Sequence, residues 1–325
     1  MLGAETTARA NVNVALVKYW GKRDSALNLP ATGSISLTLD GLGVEATCAF
    51  GAESDRCIID GDAAAGPDAD RVLRFVDMVR TEARVDARAR VETRSSVPKG
   101  VGLASSAAAF ASLAAAVSRA AGMRLEAPAL SELARRGSGS AARSIFGGFV
   151  EWHRGERADG RDSIAEPLLA PGDWDVRMVV AVTSTARKAV SSGEGMRRAA
   201  TSPLYPAWVE TAERDLAEAR RAIAARDLDA VGLVAEHSAL KMHAIGLAAR
   251  PPLLYWRGAT VDCIHRVWAL REEGVRGWVT IDAGPQVKVL CDPGDAGRIA
   301  AALRELPGVE RVLTCGPGGG VEVGA

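Results

Sequence analysis

The chain has 325 residues with 40 basic and 40 acidic side chains, so its formal net charge is zero, which argues against a nucleic-acid binder held by gross charge. Hydrophobic residues make up 48% and charged residues 25%, the balance of a globular protein with room for two domains and no apolar run as long as a membrane span. The opening "MLGAETTARANVNVALVKYW" lacks the basic-then-apolar order of a secretion signal, and Cys48, Cys57, Cys263, Cys291 and Cys315 form no CxxC pair, which reads as reduced thiols in a cytoplasmic protein.

"NVNVALVKYWG" alternates and breaks at Gly21, the pattern of a strand and its end. In "VKYWGKRD" that follows, Lys18 and Lys22 flank Tyr19 and Trp20; both cations can reach one anion, or they are two solvated lysines near a strand end. "SISLTLDGLGVEATCAF" puts Ile35, Leu37 and Leu39 on one face and Ser34, Ser36 and Thr38 on the other, and Asp40-Gly41 reads as the turn of a β-hairpin. Val72, Phe75, Val76 and Val79 recur at helical spacing, so "DADRVLRFVDMVRTEA" is an amphipathic helix. "ARARVETRSSVP" returns to a strand.

"PKGVGLASSAAAF" sets Gly100 and Gly102 before Ser105 and Ser106 at the start of a nearly uncharged, buried helix. Glycine permits close backbone approach, and a helix start offers free N–H groups and partial positive charge, so the stretch suits an anion. It is equally an ordinary loop with a Ser N-cap, and its spacing is not that of a P-loop. "SELARRGSGSAARSIFGGFVEW" reads as helix, Gly/Ser break, helix and strand. Ser138, Ser140 and Arg143 lie at that break, where Arg143 either holds a carboxylate or phosphate bidentately or is a surface arginine beside a helix–helix turn.

"WDVRMVVAVT" is a central strand, and the boundary before it divides the chain into 1–174 and 175–325. Residues 206–247 form two long helices with Asp227 as the cap between them. "GWVTIDAGPQVKVLC" is strand, tight turn and strand; Asp282 at its bend is either a carboxylate aimed into a cleft, its pKa raised by burial and lowered by nearby lysine, or a turn-capping aspartate. "RVLTCGPGGGVEV" ends the chain as an edge strand. His153, His237, His243 and His265 have no metal-ligand spacing and read as structural. Strands in both halves, with helices between and after them, make an α+β protein. Two Gly/Ser helix starts, basic residues and a poised carboxylate together suit phosphoryl transfer.

The stretches "NVNVALVKYWGKRD", "LPATGSISLTL", "PKGVGLASSAAAFASLAAA", "GSGSAARSIFGGFVEW", "VSSGEGMRRAATSPLYPAWVE" and "TIDAGPQVKVL", in this order, resemble the diphosphomevalonate decarboxylases of the GHMP kinase superfamily over nearly the whole chain. The resemblance implies a GHMP kinase-like fold: an N-terminal part like the ribosomal-protein-S5 domain, a ferredoxin-like C-terminal part, and an active site in the cleft between them. It implies ATP with Mg2+, a phosphorylated mevalonate as substrate, and a homodimer. The implied reaction phosphorylates the 3-hydroxyl of 5-diphosphomevalonate, then loses phosphate and CO2 to give isopentenyl diphosphate. Alternatives of the same class are that chemistry on 5-phosphomevalonate, giving isopentenyl phosphate, and a 3-kinase that stops before decarboxylation.

By the same resemblance Asp282 faces the 3-hydroxyl, Lys18 lies beside it, and Arg143 meets the substrate carboxylate. Gly100, Gly102, Ser105 and Ser106 cradle the nucleotide phosphates. Ser191 and Ser192 match a second phosphate loop, and Arg187 or Lys188 closes over it. Ser138 and Ser140 lie near substrate or the γ-phosphate, and Tyr19, Lys22 and Arg74 hold the diphosphate end. No residue set is assigned to a metal directly. The chain departs from the family pattern at Thr32 and Gly33, at Lys99, Gly100 and Val101, and at Ala189.

Overall fold

A computed structural model describes residues 5–97, 105–186 and 189–324. In chain order the strands and helices are β1 (Thr6–Val17), β2 (Lys22–Asp24), β3 (Leu29–Pro30), β4 (Ser34–Ala52), β5 (Arg56–Ile59), β6 (Asp62–Ala63), α1 (Pro67–Ala83), β7 (Arg88–Ser95), α2 (Ser105–Ala120), α3 (Ala127–Gly137), a 3-10 helix (Gly139–Ile145), β8 (Phe149–Trp152), β9 (Ala165–Leu169), β10 (Arg177–Val182), α4 (Ser192–Ala199), α5 (Tyr205–Ala225), α6 (Leu228–Leu247), α7 (Gly258–Glu272), β11 (Gly277–Ile281), β12 (Val287–Cys291), α8 (Ala296–Arg304), β13 (Arg311–Cys315) and β14 (Glu322–Val323). The α+β character read from the sequence is what these elements build.

The first sheet runs β14-β1-β4-β7-β5-β6, with β8 on β4 and β9 on β8; the second runs β11-β12-β10-β13. The long strand β4 serves both ends of the first sheet, pairing β8 through Ser34–Leu37 and β7 through Val44–Ala52. Asp40-Gly41 is therefore not the turn expected between two strands. The chain continues across it as a bulge against β1, where the pairing jumps from Asn13↔Thr38 to Asn11↔Gly43. The bulge is held from outside. Asp40 N–H donates to Gly316 O at 3.0 Å, and Gly316 N–H donates to the Asp40 carboxylate at 2.7 Å. Gly41, at φ +70°, takes up the kink.

The final edge strand also divides. β13 borders the second sheet, and the glycine-rich stretch after it crosses back so that β14 pairs with β1. The first sheet thus closes with residues from the far end of the chain.

α2 is alanine-rich, which favours helix and lets it sit close to β1 and β4. On the other side α6 covers β11 and β1. Asp227 caps α6 by accepting from Ala230 N–H at 3.1 Å, as the sequence suggested. One apolar core runs through both halves, joining Val14, Leu16 and Leu37 to Met178, Val231 and Trp278. The two sheets are therefore fixed relative to each other, and the end of β1 is held where they meet.

Candidate active site

The site grows from the end of β1. Lys18 N–H donates to Ser238 Oγ of α6 at 3.0 Å, and Ala15 O accepts from Thr280 Oγ1 of β11 at 3.2 Å. This anchors Lys18 beside the turn that follows β11, which carries Asp282. The Lys18 ammonium donates to Asp282 Oδ1 and to Ala15 O, each at 2.7 Å. Lys288 donates to the other carboxylate oxygen, Oδ2, at 2.8 Å. Lys18 is 1% and Lys288 2% exposed, whereas the Asp282 side chain is 31% exposed. Asp282 therefore presents one edge to open space and the other to two buried cations.

The electrostatics follow from that geometry. Burial alone would raise the Asp282 pKa, but Lys18 and Lys288 hold it far below the ordinary carboxylate range. Burial, with positive charge from Lys288 and Arg143, lowers Lys18 to about 8 against the pull of Asp282. His243, behind the pair on α6, is lowered to about 4 by burial and by Lys18, which fits a neutral structural ring.

Arg143 comes from the 3-10 helix that begins at Gly139. At 2% exposure it is not the surface arginine that its Gly/Ser context allowed. Asn13 Oδ1 accepts from its Nε at 3.3 Å and its Nη2 at 3.0 Å, and Ser34 Oγ accepts from Nη1. Asn13 is itself fixed by donating to Ser144 Oγ at 2.7 Å and Ser140 O at 3.1 Å. Burial lowers the Arg143 pKa to about 10, so it remains a cation at neutral pH. Tyr19 packs edge-on against Trp152 at 4.8 Å between ring centres. Glycine is required at 139, because a Cβ there would lie 2.7 Å from the Tyr19 hydroxyl.

Asn13, Lys18, Tyr19, Gly139, Arg143 and Asp282 line a cavity of about 610 Å³. Lys18, Asp282 and Arg143 share its floor with Tyr19, Ser138 and Ser140. Lys22 reaches one flank, tied to Asn28 Oδ1 at 2.6 Å, and Asn28 donates onward to Arg135 O and Arg136 O. Ser105 and Ser106, at the first turn of α2, and Ser191 and Ser192, at the start of α4, line it as well. Ser191 caps α4 by accepting from Glu194 N–H at 3.2 Å. Gly100, Gly102, Arg187 and Lys188, with the departures at Lys99 and Val101, lie outside the described residues. Among the described residues no group of three or more His, Cys, Asp or Glu could hold a metal ion.

One expected position lies away from the cavity. Arg74 is exposed on α1 and does not line the cavity; Arg71, one turn earlier, does. Arg71 donates to Gly137 O at 2.8 Å and to Ser106 Oγ at 3.3 Å, and its guanidinium lies 4.4 Å from the Phe110 ring centre. Sequence reading also missed Lys288, Asn13, Ser34 and Asn28, the residues that hold the named groups in place. The departures at Thr32 and Gly33 border a different cavity, against Trp152 and Leu216, where a Cβ on residue 33 would press on Leu216.

A half-open aspartate held by two buried lysines, an arginine fork and two serine-bearing helix starts now meet at one cavity. The family profile for the diphosphomevalonate decarboxylase-like N-terminal domain matches residues 10–165. That for the mevalonate 5-diphosphate decarboxylase C-terminal domain matches residues 178–314. Human diphosphomevalonate decarboxylase is 34% identical over 322 residues, covering 92% of this chain and 80% of its own. The crystal structure of mevalonate diphosphate decarboxylase from Staphylococcus aureus superposes with a TM-score of 0.93 at 36% identity, over 99% of this chain and 98% of its own. The structure of MDDEF in complex with MVAPP, AMPPCP and magnesium also gives 0.93, at 37% identity over 98% of both chains. The GHMP kinase fold implied by the motifs is therefore the fold this chain adopts. Sequence profile, curated relatives and fold agree over both halves, and the chain belongs to the diphosphomevalonate decarboxylase family.

Proposed function

We propose that this chain catalyses the ATP-dependent decarboxylation of 5-diphosphomevalonate to isopentenyl diphosphate, ADP, phosphate and CO2. The observation that carries the reading is the Lys18–Asp282 pair, 2.7 Å apart at the floor of a cavity lined by serine-bearing helix starts and by Arg143. A tertiary hydroxyl is a poor leaving group, and phosphorylation makes it a good one. Asp282 accepts a hydrogen bond from the 3-hydroxyl and aims that hydroxyl oxygen at the terminal phosphoryl group of ATP; the new O–P bond forms as the bond to ADP breaks, and the hydroxyl proton passes through Asp282 to the phosphate. Once the 3-phosphate departs, positive character at C3 draws the electron pair of the C–C bond to the carboxylate, and CO2 leaves. Arg143, fixed by Asn13 and Ser34, orients that carboxylate.

Lys22, Arg71, Tyr19 and Ser138 form the end of the cavity suited to the 5-diphosphate. Ser105, Ser106, Ser191 and Ser192 suit the ATP phosphates. Mg2+ would accompany ATP and offset the charge of its phosphates; among the described residues no cluster of three or more His, Cys, Asp or Glu is placed to hold it. This is in keeping with the related chain that binds AMPPCP and magnesium. A cytoplasmic location and a homodimer extend the same reading. Five free cysteines, all buried, support the first; family resemblance supports the second, and light scattering on the purified protein tests it.

The deciding experiment incubates purified protein with ATP and either 5-diphosphomevalonate or 5-phosphomevalonate, measuring CO2 and ADP together. Equal release of both with the diphosphate is expected. ADP without CO2 would make the protein a 3-kinase, and turnover of the monophosphate alone would move the substrate to that compound.

A further inference from the structure

Lys288 lines no part of the cavity, yet its ammonium meets the carboxylate at the cavity floor. It lies in β12, where all five residues are buried, and it is 2% exposed between Val287 and Val289. It reaches back across the turn to Asp282 Oδ2 at 2.8 Å, opposite Lys18 on Oδ1. An ammonium buried in an apolar strand costs several kcal/mol of desolvation, and its ion pair rarely repays more than that, so stability alone gives little reason for a lysine here.

We propose that Lys288 is a positioning residue for the reaction: with Lys18 it grips Asp282 by both oxygens, so that the carboxylate keeps a single orientation with its free lone pairs turned toward the cavity. The inference rests on the role given to Asp282 under Proposed function. Lys18 alone would leave Asp282 free to rotate about its side-chain bonds. Two opposed ammonium groups remove that freedom before substrate arrives, which is where positioning lowers a barrier. Among the described residues, the charged or titratable groups that face Asp282 are Lys18 at the end of β1, Lys288 on β12, Arg143 on the 3-10 helix and His243 on α6. Three are cations, and removing Lys288 makes protonation of Asp282 easier.

The test compares full-length wild type, Lys288→Met and Lys288→Arg in the coupled ADP and CO2 assay across pH, with AMPPCP binding measured alongside. For Lys288→Met we expect kcat to fall roughly 10- to 100-fold, with KM for both substrates and AMPPCP affinity within about threefold. The acid limb of kcat/KM should move to higher pH, and Lys288→Arg should return it toward the wild-type position. Should the methionine variant not fold, Lys288→Gln, which keeps a donor without the charge, is read for the same limb. Wild-type kcat and pH profile in either neutral variant would overturn the inference, as would a rate loss that merely tracks the fraction of AMPPCP-binding molecules with the limb unmoved. An inactive wild type would overturn the reading of the reaction itself, which separates the two failures.

Discussion

Asp282 and Lys18 lie 264 positions apart in the chain and 2.7 Å apart in the fold. The contact forms because β1 and β11 converge on one layer of core and α6 ties both. It leaves Asp282 charged, partly open to the cavity and unable to hold a proton for long. Asp282→Asn keeps the shape and removes the charge. We expect it to lower kcat by roughly 10²- to 10⁴-fold, the range of a lost acid–base or orienting group, while AMPPCP affinity changes by less than about threefold. Turnover near wild type in a steady-state assay would remove Asp282 from the chemistry.

Lys18 predicts two pH dependences of opposite sign. Its pKa falls from 10.5 to about 8 on folding, chiefly through burial. Below about 8 both folded and unfolded chains carry the proton, and burying the ammonium works against folding. Between about 8 and 10.5 the unfolded chain binds the extra proton, so this residue's contribution to stability rises with pH. Activity moves the other way, since a neutral amine no longer steadies developing negative charge. We expect kcat/KM to decline with a midpoint near pH 8. Lys18→Met should be slow at every pH and lack that limb. Its Tm deficit relative to wild type should widen between pH 8 and pH 10. A wild-type limb that survives in the variant would assign it to another group.

Arg143 carries a structural and a chemical duty, and they separate by substitution. Asn13 and Ser34 hold three of its nitrogens in a buried network. Arg143→Leu leaves those acceptors unpaired and should cost about 2–4 kcal/mol of stability. Turnover should fall strongly in the surviving folded fraction, with ATP binding changed little. Arg143→Lys keeps a cation without the fork, so it should restore part of the stability and little of the turnover. Equal loss of ATP affinity and turnover, measured by titration and assay, would place Arg143 at the nucleotide instead.

Much of this site was legible because its chemistry sits in short stretches: "KYWGKRD", "GSGSAARS" and "TIDAGP" each put a charged side chain beside glycine at the end of an element. What was illegible depends on contacts between distant stretches. Lys288 reads as the polar position of an alternating strand, and only the second sheet, which buries both faces of β12, shows that it points inward to Asp282. Its signal was present as a lysine six residues after the aspartate, across a tight turn. Asn13 is one polar residue among several in β1 until the 3-10 helix brings Arg143 to it. The bulge at Asp40 was unreadable locally, because the partner that keeps the strand from folding back is Gly316, near the other end of the chain.

Helical phase separates Arg74 from Arg71 in the sequence itself. Val72, Phe75, Val76 and Val79 define the buried face of α1. At 3.6 residues per turn, Arg74 falls nearly opposite the centre of that face, whereas Arg71 falls at its edge, stacked over Phe110 of the neighbouring α2. From the edge a long side chain can run along the apolar surface and put its head into the cavity, and Arg71 does so at Gly137 O and Ser106 Oγ. The two arginines should therefore respond differently to truncation. Arg71→Ala is expected to raise KM for the phosphorylated substrate about tenfold or more, the loss of one charge-assisted contact to a phosphate, with a smaller change in kcat. Arg74→Ala should leave both constants within about twofold and Tm within about 1–2 °C, as surface substitutions do. The reverse pattern in a pair of saturation curves would return the diphosphate end of the cavity to Arg74 and require α1 to rotate on the sheet when substrate binds.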